Sequence, residues 1–162
     1  MSNYLIVYIS QTGSTREIAE KLTEILKSAG HTADIQDLEK DFDISGYSHI
    51  ILGAPIHGMQ MMPEATAFLQ KNSLELKDKK LALFTVSYVT HCGRKTWGNM
   101  MKKKIDQLAE SYNIAHTAHL CGRVDKQLPA PARWLFGIPR NAPLDLRNDQ
   151  EVADWAQVLL AD

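Results

Sequence analysis

The chain has 162 residues, 44% hydrophobic and 23% charged, which fits one globular domain with its own core and excludes a disordered chain. Lys and Arg number 18 and Asp and Glu 19, and a net charge of −1 excludes a protein that holds nucleic acid through a basic excess. Two cysteines, Cys92 and Cys121, exclude a disulfide framework and a Cys-rich zinc site.

They read as reduced thiols in a cytoplasmic protein, and no metal site is expected. The opening apolar run is too short for a signal-peptide core and has no basic segment before it. No stretch approaches the roughly 18 apolar residues of a spanning helix.

Tyr4–Ile9 is a β-branched and aromatic run, expected of a strand buried on both faces. A polar loop, Ser10–Ser14, leads into a helix over Thr15–Ala29 with Ile18, Leu22, Ile25 and Leu26 on one stripe. Gly30 ends it, and His31–Asp37 reads as the second strand. A connection over Asp41–Ser48 precedes the third strand, His49–Ala54. Gly58–Met62 reads as loop, and Pro63 opens a helix running to about Asn72. After a polar turn, Leu76–Lys79, the fourth strand covers Lys80–Tyr88. Val89–Arg94 reads as loop, and Lys95–Tyr112 as a helix with Trp97, Met101, Ile105, Leu108 and Tyr112 toward the core. Ala115–Val124 is the fifth strand. An irregular insertion at about 125–147 holds Pro129, Pro131, Pro139 and Pro143. Asn148 or Asp149 then caps a last helix over Glu151–Leu160.

Strands alternating with helices in one domain over 1–162 imply an α/β fold with a doubly wound parallel sheet and right-handed crossovers. Ligands of such sheets sit at the carboxyl ends of the strands, which directs attention to three loops. The first, Ser10-Gln11-Thr12-Gly13-Ser14-Thr15, joins a buried strand to a helix N-terminus, where unpaired N–H groups and the helix dipole favour an anion. Four hydroxyls add neutral donors, and the loop has no Lys, so it is no Walker A site. A phosphate monoester fits it; simple capping by Thr12 or Ser14 needs only one hydroxyl.

This stretch resembles the FMN phosphate loop of flavodoxins, whose pattern is Ser/Thr-x-Thr-Gly-x-Thr after the first strand. The resemblance implies a five-stranded sheet in the flavodoxin-like order 2-1-3-4-5, three layers α/β/α, and FMN as cofactor. It also implies that Pro55, Ile56, His57, Gly58 and Met59 lie against the isoalloxazine, with the Gly58 peptide near its N5. Glycine tolerates the backbone flip that would turn a carbonyl to a protonated N5. The third loop carries Ser87, Tyr88, Val89 and Gly93 toward the pyrimidine edge, with Tyr88 as the stacking ring and Trp97 in reserve. Cys92 has no His–acid pair in view and reads as an ordinary loop thiol. A phosphoacceptor receiver domain needs carboxylates after strands one and three, and Ser10-Gln11 and Gly53-Ala54-Pro55 stand there instead.

The tail is similar to that of flavodoxin-fold menaquinone-dependent protoporphyrinogen dehydrogenases, which carry an insertion after strand five and a Trp in the final helix, here Trp155. The implied function is an FMN-dependent oxidoreductase acting on a small acceptor such as a quinone or porphyrinogen. The alternative is a flavodoxin-type electron carrier serving a protein redox partner, for which the charge of −1 gives weak steering. No catalytic acid or base stands out. The insertion's Leu128, Trp134, Leu135, Phe136 and Ile138, with Arg133 and Arg140, admit three readings. The segment folds over the flavin edge, lies through 128–140 on a membrane surface, or covers the sheet edge.

Overall fold

Alternation of buried side chains along each strand decides how this chain layers. The computed structural model describes residues 1–161. In chain order the elements are β1 (Asn3–Tyr8), α1 (Ser14–Ser28), β2 (Thr32–Asp37), β3 (His49–His57), β4 (Gln60–Met61), α2 (Pro63–Lys71), α3 (Ser73–Leu76) and β5 (Lys80–Ser87). Then follow α4 (Val89–Cys92), α5 (Lys95–Tyr112), β6 (His116–Cys121), α6 (Ala130–Phe136) and α7 (Asp149–Leu160). Five strands pair in parallel in the order β2-β1-β3-β5-β6, the doubly wound order expected, and β4 pairs antiparallel with the end of β3.

Successive strand residues point to opposite faces, so the sheet buries two cores. Tyr4, Ile6, Ile51, Ala82, Phe84 and Val86 meet Ile18, Leu22 and Leu26 of α1 and Val152, Trp155 and Leu159 of α7. Leu5, Val7, Ile50, Leu52, Leu81 and Leu83 meet Ala65, Phe68 and Leu69 of α2 and Met101 and Ile105 of α5. A strand with both faces covered is apolar over most of its length, which is why β1, β3 and β5 read as near-continuous runs. Gly53 marks the closest approach within the sheet. A Cβ there would stand 2.2 Å from Phe84 Cζ, and the Phe84 ring is held edge-on by Trp155 at 5.7 Å.

Several boundaries differ from expectation. β3 does not stop at Ala54 but runs to His57, because β4 folds back to pair Ile56 with Met61 and His57 with Gln60. Val89–Cys92 is a short helix rather than loop, with Thr90 N–H donating to Ser87 Oγ at 3.2 Å. β6 covers only His116–Cys121 of the expected Ala115–Val124. The insertion is not irregular throughout: α6 forms behind Pro129, with Pro131 in the first turn where its missing N–H costs nothing. Asn148 caps α7 by accepting from Gln150 N–H at 2.9 Å, so the helix starts at Asp149. Trp97 does not enter the main core; it packs edge-on against Phe136 of α6 at 5.7 Å.

Candidate functional site

The ends of β1, β3 and β5 open on one cleft of about 290 Å³. Gln11, Thr12, Ser14 and Thr15 line it from the first loop, Pro55 to Met59 from the second, and Ser87, Tyr88 and Val89 from the third. A larger groove of about 390 Å³ lies between α1, β6 and α7, lined by Glu17, Lys21, Cys121 and Arg147 among others. We place the chemistry in the smaller cleft, because it stands at the strand ends where a doubly wound sheet leaves loops free.

Parallel pairing of β1 between β2 and β3 fixes where the first loop begins. Gly13 then turns the chain at φ 86°, the left-handed region, and precedes α1 without any side-chain cap. The first N–H groups of α1 therefore lack acceptors by helix geometry. Ser10 Oγ and Ser14 Oγ are buried and have no hydrogen-bond partner among the described residues. Buried hydroxyls are nearly always paired, so two without a partner beside a helix N-terminus are available to an acceptor from outside the chain. The donor set is neutral hydroxyl plus backbone N–H, which suits a phosphate monoester. The loop is braced by Gln11 Nε2, which donates to Met62 Sδ at 3.7 Å.

The second wall is a two-residue hairpin between β3 and β4. Gly58 (φ 53°) and Met59 (φ 62°) both occupy the left-handed region, as the central pair of such a turn must. Gly58 stands at its tip with open space around its Cα, and His57 is exposed beside it. Lys104 Nζ donates to Met59 O at 3.2 Å and holds the tip to α5. The Lys102–Lys104 run reads in sequence as a solvated face; one of its members is a strut.

Tyr88 lines the third wall and is 7% exposed, its phenol donating to Pro143 O at 2.8 Å. Burial, and then Cys92 beside it, push that phenol above its ordinary range. Cys92 is itself raised by burial, and Cys121 is pushed up to about 11 by burial and by Glu151. Both thiols stay protonated at neutral pH and are poor nucleophiles.

Not every expected residue lines the cleft. Ser10 and Gly13 belong to the first loop but are absent from the lining, and Gly93 lies under α4 and α6, where a Cβ would meet Val89 O at 2.5 Å and Phe136 O at 2.8 Å. Trp97 is absent from the lining, its ring turned to α6. Sequence reasoning missed Val86, Gly122, Arg123 and Val124, all of which line it, whereas Leu128 and Phe136, which also line it, stand in the insertion for which folding over this edge is one of the three expected readings. Leu128 and Phe136 belong to the insertion, so that segment folds over the cleft mouth. Its base is closed by Val124 N–H to Leu144 O (2.9 Å) and Leu146 N–H to Gly122 O (3.2 Å). No His, Cys, Asp and Glu cluster that could hold a metal occurs among the described residues. No helix among them is long and apolar enough to cross a membrane.

Comparison with known proteins agrees with this fold. A family model described as a flavodoxin domain matches residues 5–128. The rubredoxin:oxygen oxidoreductase of Desulfovibrio gigas aligns with a TM-score of 0.62 at 16% identity, over 99% of this chain and 37% of that one. The chain thus spans little more than a third of that protein. Flavodoxin of Megasphaera elsdenii aligns at 0.56 with 21% identity over 94% of this chain and 97% of its own. Fusobacterium nucleatum flavodoxin, solved bound to flavin mononucleotide, aligns at 0.57 with 13% identity over 99% and 98%.

Proposed function

The chain belongs to the flavodoxin domain family, and from that premise we propose that it binds FMN in the cleft and passes electrons between a reduced donor and a small flat acceptor such as a quinone or porphyrinogen. The observation that carries the reading is the pair of buried, unpartnered hydroxyls, Ser10 Oγ and Ser14 Oγ, beside an uncapped helix N-terminus. They fit the phosphate of FMN. When bound, FMN supplies the electron chemistry, and the protein supplies position and electrostatics. Residues Ser10–Thr15 would hold the phosphate, and the 57–59 hairpin and Ser87–Val89 would flank the ring.

A small acceptor is favoured over a protein one by the insertion. Leu128 and Phe136 put apolar surface at the cleft mouth, where an electron carrier needs the flavin edge open to its partner. Within the family we assign the chain to the menaquinone-dependent protoporphyrinogen dehydrogenase type. In support are the segment after β6, the Asp145–Arg147 turn and Trp155 on α7. The outer side of α6 exposes Trp134 (78%) and Leu135 (48%), and Arg94, Arg133 and Arg140 stand around it with no carboxylate partner among the described residues. An anionic membrane surface suits that face, and from it a lipid-soluble acceptor would enter the cleft.

The test is a titration of apoprotein with FMN, followed by quenching of flavin fluorescence. Thr12 is exposed and lines the cleft, so Thr12→Ala should weaken binding without unfolding the chain. The reduced holoprotein is then mixed anaerobically with a water-soluble quinone. Rapid reoxidation without a protein partner supports the oxidoreductase; reoxidation only by a partner protein gives the carrier.

A further inference from the structure

Arg123 reaches the phosphate loop from the far end of the chain. The Arg123–Asp145 bridge at the base of the insertion sets its backbone beside the first loop. Its Nη2 donates to Thr12 O at 3.2 Å and stands 3.0 Å from Glu17 Oε1, and its Nη1 is 3.4 Å from Glu17 Oε2. A Cβ on Gly13 would sit 3.4 Å from Nη2, so the loop and the guanidinium are in contact. Arg123 Nε is buried and has no acceptor among the described residues.

Among the described residues that line the cleft, Arg123 is the only Lys or Arg, and none is Asp or Glu. Among the described residues its single anionic partner is Glu17, which is shared with Arg147, and Arg147 also takes both oxygens of Asp145. The guanidinium is therefore only partly neutralised, at the one place where the loop turns its donors outward. A phosphate monoester carries close to two negative charges at neutral pH. Neutral hydroxyls and N–H dipoles solvate that charge, and a fixed guanidinium adds a charge-assisted partner.

We propose that Arg123 is a phosphate-binding and specificity residue of this site, selecting FMN over flavins that lack the phosphate, with Glu17 as the carboxylate that competes for it. The proposal rests on the FMN reading above and predicts opposite effects for two residues in one ion pair. Removing Arg123 removes attraction for the phosphate. Removing Glu17 removes repulsion and frees the guanidinium.

Apoprotein is titrated with FMN and with riboflavin in low and high KCl, using the wild type, Arg123→Gln, Arg123→Lys and Glu17→Gln. Arg123→Gln should weaken FMN at least tenfold, about 1.4 kcal/mol, and leave riboflavin unchanged. Glu17→Gln should tighten FMN. Arg123→Lys should keep part of the preference, since charge remains but the planar fork does not. The wild type's preference for FMN should shrink as salt rises, and that of Arg123→Gln should not. Equal weakening of FMN by Arg123→Gln and Glu17→Gln, with riboflavin weakened alongside, would make the pair a structural tie and overturn the proposal. So would unchanged FMN affinity in Arg123→Gln. Should Arg123→Gln fail to fold, the sign of the Glu17→Gln effect decides. A wild type that binds FMN no better than riboflavin overturns the phosphate reading itself, and this proposal with it.

Discussion

Removing the two orphaned hydroxyls separates what the phosphate loop does for the fold from what it does for the ligand. Ser10 Oγ and Ser14 Oγ are buried without partners among the described residues. Burying an unpaired hydroxyl costs about 1–3 kcal/mol. Ser→Ala at both positions deletes that cost and keeps Cβ, so the apoprotein should be as stable as the wild type or more so. Toward FMN the sign reverses. A hydrogen bond to a charged group contributes about 1.5–3 kcal/mol, or roughly tenfold to more than a hundredfold in affinity for each hydroxyl. Both act on one phosphate, so their effects need not add, and we expect the double variant to bind FMN at least a hundredfold more weakly. The assay pairs urea unfolding of apoprotein with FMN titration by fluorescence quenching, and riboflavin serves as the control without a phosphate. An apoprotein destabilised by more than about 1 kcal/mol would mean that the hydroxyls are partnered within the fold. Unchanged FMN affinity would mean that they do not face the phosphate. Either result refutes the reasoning.

Three further outcomes are expected. Gly53→Ala would set a methyl 2.2 Å from Phe84 Cζ against a ring already braced by Trp155, and should cost about 1–3 kcal/mol in urea unfolding; a wild-type midpoint would show that the ring has room to yield. The wild type should sediment with vesicles of anionic phospholipid at low salt, and Trp134→Ser combined with Leu135→Ser should not; a wild type that stays in solution removes the membrane reading. His119 is lowered chiefly by burial, with His91 and Lys102 adding and Asp106 opposing, while Thr85 Oγ1 sits 2.8 Å from its Nδ1. Because the unfolded imidazole titrates near 6.5 and the folded one lower, the neutral ring stabilises the fold fully above that pH. This contribution is lost as pH falls toward the folded value. Stability of the wild type should therefore drop more between pH 7.5 and 5 than that of His119→Gln, and parallel curves would show that His119 does not titrate with unfolding.

The sequence by itself determined the sheet, its layers and the first loop. The central parts of β1, β3 and β5 are buried on both faces, and such strands are apolar over most of their length, so they stand out without any knowledge of neighbours. The first loop is also local: five residues turn from a strand into a helix, and Gly13 with its flanking hydroxyls declares both the turn and the donors. Contacts far apart in the chain left no such mark. β4 exists because Met61 returns to Ile56, and two residues carry no period to read. Trp97 sits at a core-like spacing on α5, yet its ring belongs to Phe136, 39 positions away in another element. Arg123 and Glu17 are separated by 106 residues, and neither shows in its own neighbourhood that they meet over the phosphate loop. Local periodicity encodes which face is buried; which side chains share a cleft is decided by how the strap after β6 packs, a matter of shape complementarity that only the folded chain expresses.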